Sequence, residues 1–423
     1  MAKSSLLVNS ILRFVGEYLA CTIMKKFELN SSIRSNFLIL LVLSLTSACT
    51  LAIGGPSQLP DPPAPTALPL QEAAQEVLGM PGRTITLPPG FEITLFADGL
   101  DDPRMLALGP DGQIYVAERG SGQILRLPDA DHDGNPDQIE VVAEGLNAPS
   151  SLAFYQDGSL YVGETNRVLR LPLLADGESF GPTEVIVPNL PIGGHNTRTV
   201  LFSPDFKTLY VSIGSSCNVC EEEDARRAAI MRYDPDGGNG RLFAKGLRNA
   251  VGITIRPGTD DLWATNNGRD LLGDDLPPET VYLVQEGKDY GWPYCHSGRI
   301  VDPDFGSGTS CQGVEKPLVE MQAHEAPLGL EFYSGEQFPE EYRGDLFVAL
   351  HGSWNRSIPV GYKVVRIPLD GDSIGPVEDF ASGWLEGGSS WGRPVDVLTG
   401  PEGSLYISDD AGGRIYRVSY LGN

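Results

Sequence analysis

From residue 85 onward the apolar residues come in short alternating runs separated by turns. Pro103-Arg104-Met105-Leu106-Ala107-Leu108 leads into the turn Pro110-Asp111-Gly112. Ile114-Tyr115-Val116-Ala117 and Ile124-Leu125-Arg126-Leu127 follow. A period of two with Asp-Gly-type turns predicts antiparallel strands. The same grammar returns within 149–171, 195–233, 248–283, 328–367 and 393–418. No long amphipathic helical period interrupts it. Six copies, each of a few strands and spaced by about 45 to 70 residues, predict an all-β chain folded as a six-bladed β-propeller. A β-sandwich is the alternative all-β fold, but it leaves the six copies unexplained. The stretch Gly90-Phe91-Glu92-Ile93-Thr94-Leu95-Phe96 precedes the first copy. It is expected to supply the outer strand of the last blade and close the ring without an open edge.

The residues before the repeats read differently. Lys25, Lys26 and Arg34 precede the apolar run Phe37–Leu43, and Ser44-Leu45-Thr46-Ser47-Ala48-Cys49 follows. A positive flank, a short apolar core and small residues form an export-signal pattern. The core is too short for a spanning helix. Cys49 resembles a lipidation site, with Thr46 where that motif usually has Leu; plain cleavage near Ala48 is the alternative. Met24 is an alternative start. The expected organisation is a targeting segment over 1–48, a Pro-rich tether over 49–84 and the propeller over 85–423. This implies an exported protein, periplasmic or on the cell envelope, held to a membrane by an N-terminal lipid.

The whole chain carries 423 residues and a formal net charge of -25, with 50 glycines and 33 prolines. Its length allows a sizeable core, and its acidity argues against nucleic acid as a partner. Six cysteines are present. Cys21 and Cys49 belong to the leader, and the other four suggest disulfides in an exported chain: Cys295 with Cys311 and Cys217 with Cys220. A redox or metal C-x-x-C is the alternative for the second pair. Asp129-Ala130-Asp131-His132-Asp133-Gly134-Asn135-Pro136-Asp137-Gln138-Ile139-Glu140 has the spacing of a calcium loop. Asp129, Asp131, Asp133, Asp137 and Glu140 are its expected ligands, in a structural rather than a catalytic role. A merely solvated acidic turn is the alternative.

In a propeller the first strand of each blade lines the central channel, so the residues at the strand mouths converge on one face. Here these are Arg104, Ser150, His195 with Arg198, Arg248 with Asn249, and Arg393. Arginines brought together repel one another unless an anion sits among them, and guanidinium suits planar carboxylates. The competing expectation is that they pair with blade-edge acids such as Asp102, Glu118 and Asp396.

Several segments resemble the soluble quinoprotein glucose/sorbosone dehydrogenase family. They are His195-x-x-Arg198, Gly246-Leu247-Arg248-Asn249-x-x-Gly252, Asn267-Gly268-Arg269-Asp270, Tyr290-Gly291-Trp292-Pro293 and Gly392-Arg393-Pro394-Val395-Asp396-Val397. His351-Gly352-Ser353-Trp354-Asn355-Arg356 looks like the sorbosone-type branch. The resemblance implies pyrroloquinoline quinone (PQQ) and Ca2+ on the channel face and oxidation of a sugar or aldehyde. It implies His195 as general base and Arg248 polarising the quinone. Arg198, Asn249, His351, Arg356 and Arg393 are implied as further cofactor contacts. Backbone carbonyls at Gly268 and Arg269 are implied as Ca2+ ligands, with Gly268 and Arg269 also beside the cofactor. Electrons would pass to a quinone or a cytochrome. The chain departs from the family at four places: Ser215 stands where glucose-oxidising members carry an orienting Asp, His351 stands in place of a Lys with Arg356 and Lys363 as candidate substitutes, Val395 replaces a second arginine, and a cofactor-binding glutamine of the early blades has no clear equivalent. A Ca2+-dependent propeller lactonase and a non-catalytic binding propeller are the competing functions.

Overall fold

The computed structural model describes residues 73–131 and 133–422. The expected targeting segment, Cys49 and the tether up to residue 72 lie outside the described residues. Among the described residues no helix is long and apolar enough to cross a membrane.

Six antiparallel sheets follow one another along the chain. Blade one comprises Pro103–Leu108, Ile114–Glu118, Gln123–Leu127 and Glu140–Ala143. Blade two comprises Ser151–Phe154, Leu160–Glu164, Arg167–Leu171 and Glu184–Val187. Blade three comprises Arg198–Phe202, Leu209–Ile213, Ala229–Tyr233 and Arg241–Lys245. Blade four comprises Ile253–Ile255, Leu262–Asn266, Glu279–Val284 and Val319–Met321. Blade five runs Pro327–Phe332, Leu346–Leu350, Lys363–Ile367 and Glu378–Ser382; blade six runs Pro394–Thr399, Leu405–Asp409 and Arg414–Tyr420. The fourth strand of blade six is Phe91–Asp98, paired antiparallel with Arg414–Tyr420. The chain is therefore a six-bladed β-propeller, closed by its own N-terminal strand.

One boundary needs correction. Residues 73–84 were expected to belong to an extended tether, yet Ala73–Glu76 and Thr84–Leu87 form a hairpin that extends blade five to six strands. The cause is apolar: Val77, Ile85 and Leu87 are buried against Phe91, Phe380 and Trp384.

The second strand of every blade is buried at all five positions. Each blade has a neighbour on both faces, so these strands read as near-continuous apolar runs. Their second position is aromatic throughout: Tyr115, Tyr161, Tyr210, Trp263, Phe347 and Tyr406. The third strands carry a repeated arginine that turns to the blade edge. Arg126 pairs with Asp111 at 2.8 Å and Glu140 at 2.6 Å, Arg170 with Asp157 at 2.8 Å, Arg366 with Asp345 at 2.6 Å and Arg417 with Glu402 at 2.9 Å.

Around the axis the inner strands are stitched to one another by isolated hydrogen bonds. Met105 N donates to Ser150 O between blades one and two, at 3.3 Å. Ser151 Oγ donates to Arg198 O at 2.7 Å, Thr199 Oγ1 to Val251 O, and Thr265 Oγ1 to Leu328 O at 2.7 Å. Thr399 N donates to Glu331 Oε1 at 2.9 Å, and Leu106 N to Asp396 Oδ2 at 2.8 Å, which completes the circle. Beside these stitches Met105, Val251, Leu328 and Val395 form an apolar plug. Beyond the plug, at the C-terminal ends of the inner strands, lies a cavity of about 550 Å³ lined by Phe154, Phe202, Ile255, Leu398, Glu331 and Asp396 among others. None of His195, Arg248, Asn249 or Arg393 lines it.

Burial raises Asp396 to about 8, helped by the Glu331 carboxylate and opposed by the Leu106 N–H. Burial likewise raises Glu331 to about 7. Both folded values lie above the ordinary carboxylate values of 3.8 and 4.5. The fold therefore favours the protonated forms, and their stabilisation is lost as pH rises through about 7 to 8. Urea midpoints are expected to fall between mildly acidic and mildly alkaline pH, and to fall less in Asp396→Asn, which keeps the acceptor for Leu106 N. An identical pH slope in the two proteins would sink this account.

Candidate active site on the channel face

The loops that enter the inner strands are fixed by polar residues at the ends of the second strands. Glu118 Oε1 accepts Asp101 N at 2.7 Å, and Glu164 Oε1 accepts Asn147 N at 2.7 Å. Asn266 Oδ1 accepts Asn249 N at 3.2 Å, and Asp409 Oδ1 accepts Arg393 N at 2.7 Å. The same device in four blades thus aims four strand mouths at one face.

His195 enters blade three on Gly193-Gly194, both at positive φ, 87° and 63°. Its N–H donates to Ser215 O at 2.9 Å. Its ring Nδ1 lies 3.0 Å from Ser215 O and 3.0 Å from Ser215 Oγ, while the Ser215 hydroxyl donates to Cys217 O at 2.6 Å. Both neighbours of Nδ1 therefore act as acceptors, so Nδ1 carries the proton. Nε2 is left with its lone pair and has no hydrogen bond among the described residues. Burial, and then the charge on Arg248, pull His195 down to about 4; Arg227 and Arg198 act in the same direction, against the Ser215 bond. The imidazole is neutral at physiological pH.

Arg248 is buried and held on all sides. Nε donates to Asn218 O at 2.9 Å, Nη2 to Asn218 Oδ1 at 3.0 Å and to Asp270 Oδ2 at 2.8 Å, and Nη1 to Gly268 O at 2.7 Å. Asn249 Nδ2 donates to Asn267 Oδ1 at 2.9 Å. A Cβ on Gly214 would collide with Asn249 Oδ1 and His195 Cβ, so the glycine lets these two side chains approach. Glu279 is buried behind the group, takes Gly268 N at 2.6 Å, and is raised by burial to about 8.

A second cluster spans blades five, six and one. Asp410 pairs with Arg104 and accepts from His351 Nε2 at 2.8 Å. Burial pushes the Asp410 carboxyl up, but the His351 bond and the charges on Arg104 and Arg393 bring it down to about 2. Burial lowers His351, opposed by its bond to Asp410. Arg393 donates to His351 O at 2.9 Å and Gly352 O at 2.7 Å, lies over the Tyr362 ring, and has no ion-pair partner among the described residues. Asn355 Nδ2, bonded to Asp270 Oδ1 at 3.0 Å, joins the loop of blade five to the first cluster.

Several expected roles are corrected by this geometry. Arg198 is fully buried and spends its guanidinium on His195 O at 2.8 Å, Thr197 O at 2.7 Å and Pro191 O at 2.6 Å; it staples the histidine loop instead of facing a cofactor. Arg356 ties its loop to Asp274 O and to Asp275 Oδ1 at 3.0 Å. The Arg269 side chain turns away to Asp302 and Asp304, inside the insertion closed by Cys295 and Cys311. The Gly268 carbonyl, expected as a Ca2+ ligand, accepts from Arg248. The blade-edge acids expected to neutralise the mouth arginines do other work: Asp102 pairs with Arg119 at 2.6 Å, Glu118 caps a loop, and Asp396 stitches the ring.

The acidic loop is half assembled. Carboxylate oxygens of Asp129, Asp131 and Asp133 lie within 4.8 Å of one another. Asp137 instead accepts Ala130 N at 2.9 Å, and Glu140 pairs with Arg126. Glu140 faces Arg126 in the ladder as Glu184 faces Arg170 and Glu378 faces Arg366. It is therefore a blade residue that a calcium-loop spacing happened to match. Cys217 and Cys220 are joined in a disulfide with Cα atoms 6.2 Å apart. Sequence reasoning missed Asn218, Asp270, Glu279 and Asp410 as members of the site. Asp410 had a signal in Ser408-Asp409-Asp410 at the end of a second strand. Asn218 had none beyond its position between two cysteines.

A closed six-bladed propeller with a neutral histidine and converging arginines on one channel face defines the class. The chain belongs to the TrAA12-like family, whose model matches residues 85–304 and 300–421. It is 26% identical over 406 residues to a pyrroloquinoline quinone-dependent pyranose dehydrogenase of Coprinopsis cinerea, covering 78% of this chain and 54% of that protein. The chain thus spans about half the length of this curated relative. In fold it matches the holo PQQ domain of the Coprinopsis cinerea pyranose dehydrogenase, with TM-score 0.69, 23% identity, 80% of this chain and 98% of that one. It also matches a calcium structure of the Trichoderma reesei AA12 enzyme, with TM-score 0.70, 22% identity, 82% of this chain and 98% of that one.

Val395, where the resembling family has a second arginine, is fully buried in the channel plug. Val395→Arg is expected to lower stability by about 3 kcal/mol or more, because it buries an unpaired charge. Urea denaturation checks this, and an unchanged midpoint would show that the plug yields to a charge.

Proposed function

We propose that this chain is a PQQ- and Ca2+-dependent dehydrogenase acting on a sugar or aldehyde of the aldose or sorbosone type. The observation that carries the reading is the charge around His195. Arg198, Arg227 and Arg248 act on it, and among the described residues only Arg248 of the three forms an ion pair with a carboxylate, Asp270. Burial and the neighbouring Arg227 bring Arg198 down to about 10, which reflects the same excess of positive charge. Together with Arg393 this gives a positive field suited to a multiply anionic, planar ligand such as PQQ. The similarity to PQQ-dependent sugar dehydrogenases supports the same cofactor class.

Arg248, Asn249 and Arg393 would hold the cofactor. Asp270 and Asn218 fix Arg248, so its guanidinium is oriented before any ligand arrives. His195 takes the proton of the substrate hydroxyl at Nε2, the one ring nitrogen with a free lone pair. Its Nδ1–H stays on Ser215 throughout, so the ring does not rotate as it becomes charged. When bound, PQQ supplies the hydride acceptor and Ca2+ a Lewis acid beside it. Electrons would then pass to a quinone or a cytochrome. The leader-like residues 25–48 and Cys49 support an exported, lipid-anchored location. Propeller lactonase chemistry finds less support, because Asp270 and Asp410 on this face are engaged by Arg248 and Arg104.

The test is a PQQ titration of the calcium-loaded chain, following cofactor absorbance and dye reduction with a panel of aldoses. Saturable binding and substrate-dependent dye reduction are expected. His195→Asn should retain binding and lose about 10² to 10⁴ in kcat. The acid limb of kcat/KM should fall near pH 4 instead of the ordinary 6.5, following the depressed imidazole. Absence of PQQ binding, or full activity in His195→Asn, would overturn the reading.

A further inference from the structure

The segment Ser215–Cys220 touches both principal groups of the site, and nothing in the sequence alone assigned it that part. Ser215 presents two acceptors to His195 Nδ1, each at 3.0 Å. Its hydroxyl proton is committed to Cys217 O at 2.6 Å, which leaves Oγ able only to accept. Three residues further on, Asn218 bonds to the cluster through both its backbone and its side chain. Its backbone carbonyl accepts from Arg248 Nε at 2.9 Å and from Trp292 Nε1 at 3.2 Å. Its side-chain Oδ1 accepts from Arg248 Nη2 at 3.0 Å and from Asp270 N at 2.8 Å, and its Nδ2 donates to Asp270 O at 3.0 Å. The Cys217–Cys220 disulfide closes around Asn218. Glu222 fastens the other side of the loop, accepting Ser216 N at 2.6 Å and Ser216 Oγ at 2.7 Å.

We propose that this disulfide-closed loop is the positioning device of the site, in which Ser215 holds His195 in the Nδ1–H tautomer and Asn218 holds Arg248. The proposal deepens the reading of His195 as a base and rests on it for its functional meaning. A neutral imidazole in water populates both tautomers, and an orienting carboxylate normally selects one of them. Here the groups facing His195 are cationic: Arg248 from the entry to blade four, Arg227 ahead of the third strand of blade three, and Arg198 at the start of its first strand. Among the described residues no carboxylate is hydrogen-bonded to its ring. Selection of the tautomer therefore falls to two neutral acceptors, which succeed only if they are held in place. A serine hydroxyl can donate or accept, and its direction is set by Cys217 O. The position of that carbonyl depends on the ring closed by Cys217 and Cys220. The same closure fixes the two oxygens of Asn218, so one covalent link orients the proton acceptor and the guanidinium together. Ser215 and Asn218 are positioning residues: they act through His195 and Arg248.

The experiment uses the full chain labelled with ¹⁵N at histidine, whose ring shifts report tautomer and protonation directly. The chain has five histidines, and His195→Asn assigns the signal. In the wild type His195 is expected in the Nδ1–H form by about ten to one or more, without titrating above pH 5. In Cys217→Ser/Cys220→Ser the ratio should fall below about three to one. Cys295→Ser/Cys311→Ser, which opens the other disulfide, should leave the His195 signal unchanged. Where the first double variant does not fold, dithiothreitol on the folded wild type gives the same test. Because Cys311 is half-buried like Cys217 and Cys220, the reduction is repeated on Cys295→Ser/Cys311→Ser, where Cys217–Cys220 is the one disulfide left among the described residues and gives two thiols and oxidised dithiothreitol. A folded protein that lacks the Cys217–Cys220 bond and still shows the Nδ1–H tautomer by about ten to one or more would overturn the proposal. The readout needs neither cofactor nor turnover, so failure of the chain to bind PQQ would be scored separately.

Discussion

The circle of hydrogen bonds around the axis is the constraint on which the rest of the molecule depends. Neighbouring inner strands share no continuous backbone ladder, since each belongs to its own sheet. They are registered instead by a few bonds at each seam, among them Met105–Ser150, Ser151–Arg198, Thr199–Val251, Thr265–Leu328, Glu331–Thr399 and Asp396–Leu106. Most of these lie in the interior, where losing a partner leaves an unsatisfied group at low dielectric. That penalty fixes how far each blade can slide along the axis. All six strand mouths therefore end at one level, which is what allows residues more than two hundred positions apart to form one site.

Electrostatics at that level is unusual for an acidic chain. The blade edges answer their arginines with acids, as at Arg126, Arg170, Arg366 and Arg417. Near His195 the answer is mostly backbone carbonyls. Arg198 and Arg227 place their terminal guanidinium donors there without cancelling their charge, Arg227 donating to Gly214 O and Ile192 O. Carbonyl dipoles satisfy donors but leave a net positive field, which keeps the histidine neutral and favours an anion. The same field explains why a serine suffices where a carboxylate would otherwise orient the base: a carboxylate there would favour the charged imidazole, whereas a neutral acceptor fixes the tautomer and leaves the pKa low.

Much of this was legible along the chain. The alternating runs and Asp-Gly turns are local signals, so the number of blades and the closing strand followed from them. The strand-mouth residues His195, Arg248, Asn249 and Arg393 were also legible, because a repeat tells which residues share a level. Reading failed where one spacing serves two purposes. Glu140 completed a calcium-loop pattern and also occupied the outer-strand position facing Arg126; the ladder won because blade register is set by the packed second strand. Arg198 shared a motif with His195 but lay one step further into the strand, where the side chain is buried between blades.

The sequence by itself determined the periodic part of this protein: strands, turns, six blades, and the face on which the chemistry-bearing residues gather. These depend on local alternation and on turn residues, both of which act over a few positions. Only the tertiary structure decided which arginines are spent on the protein and which stay open, that the hairpin of residues 73–87 belongs to blade five, and that Asn218 and Asp410 stand in the site. Those outcomes depend on partners from distant blades, and a partner's distance along the chain carries no signal until the ring has closed.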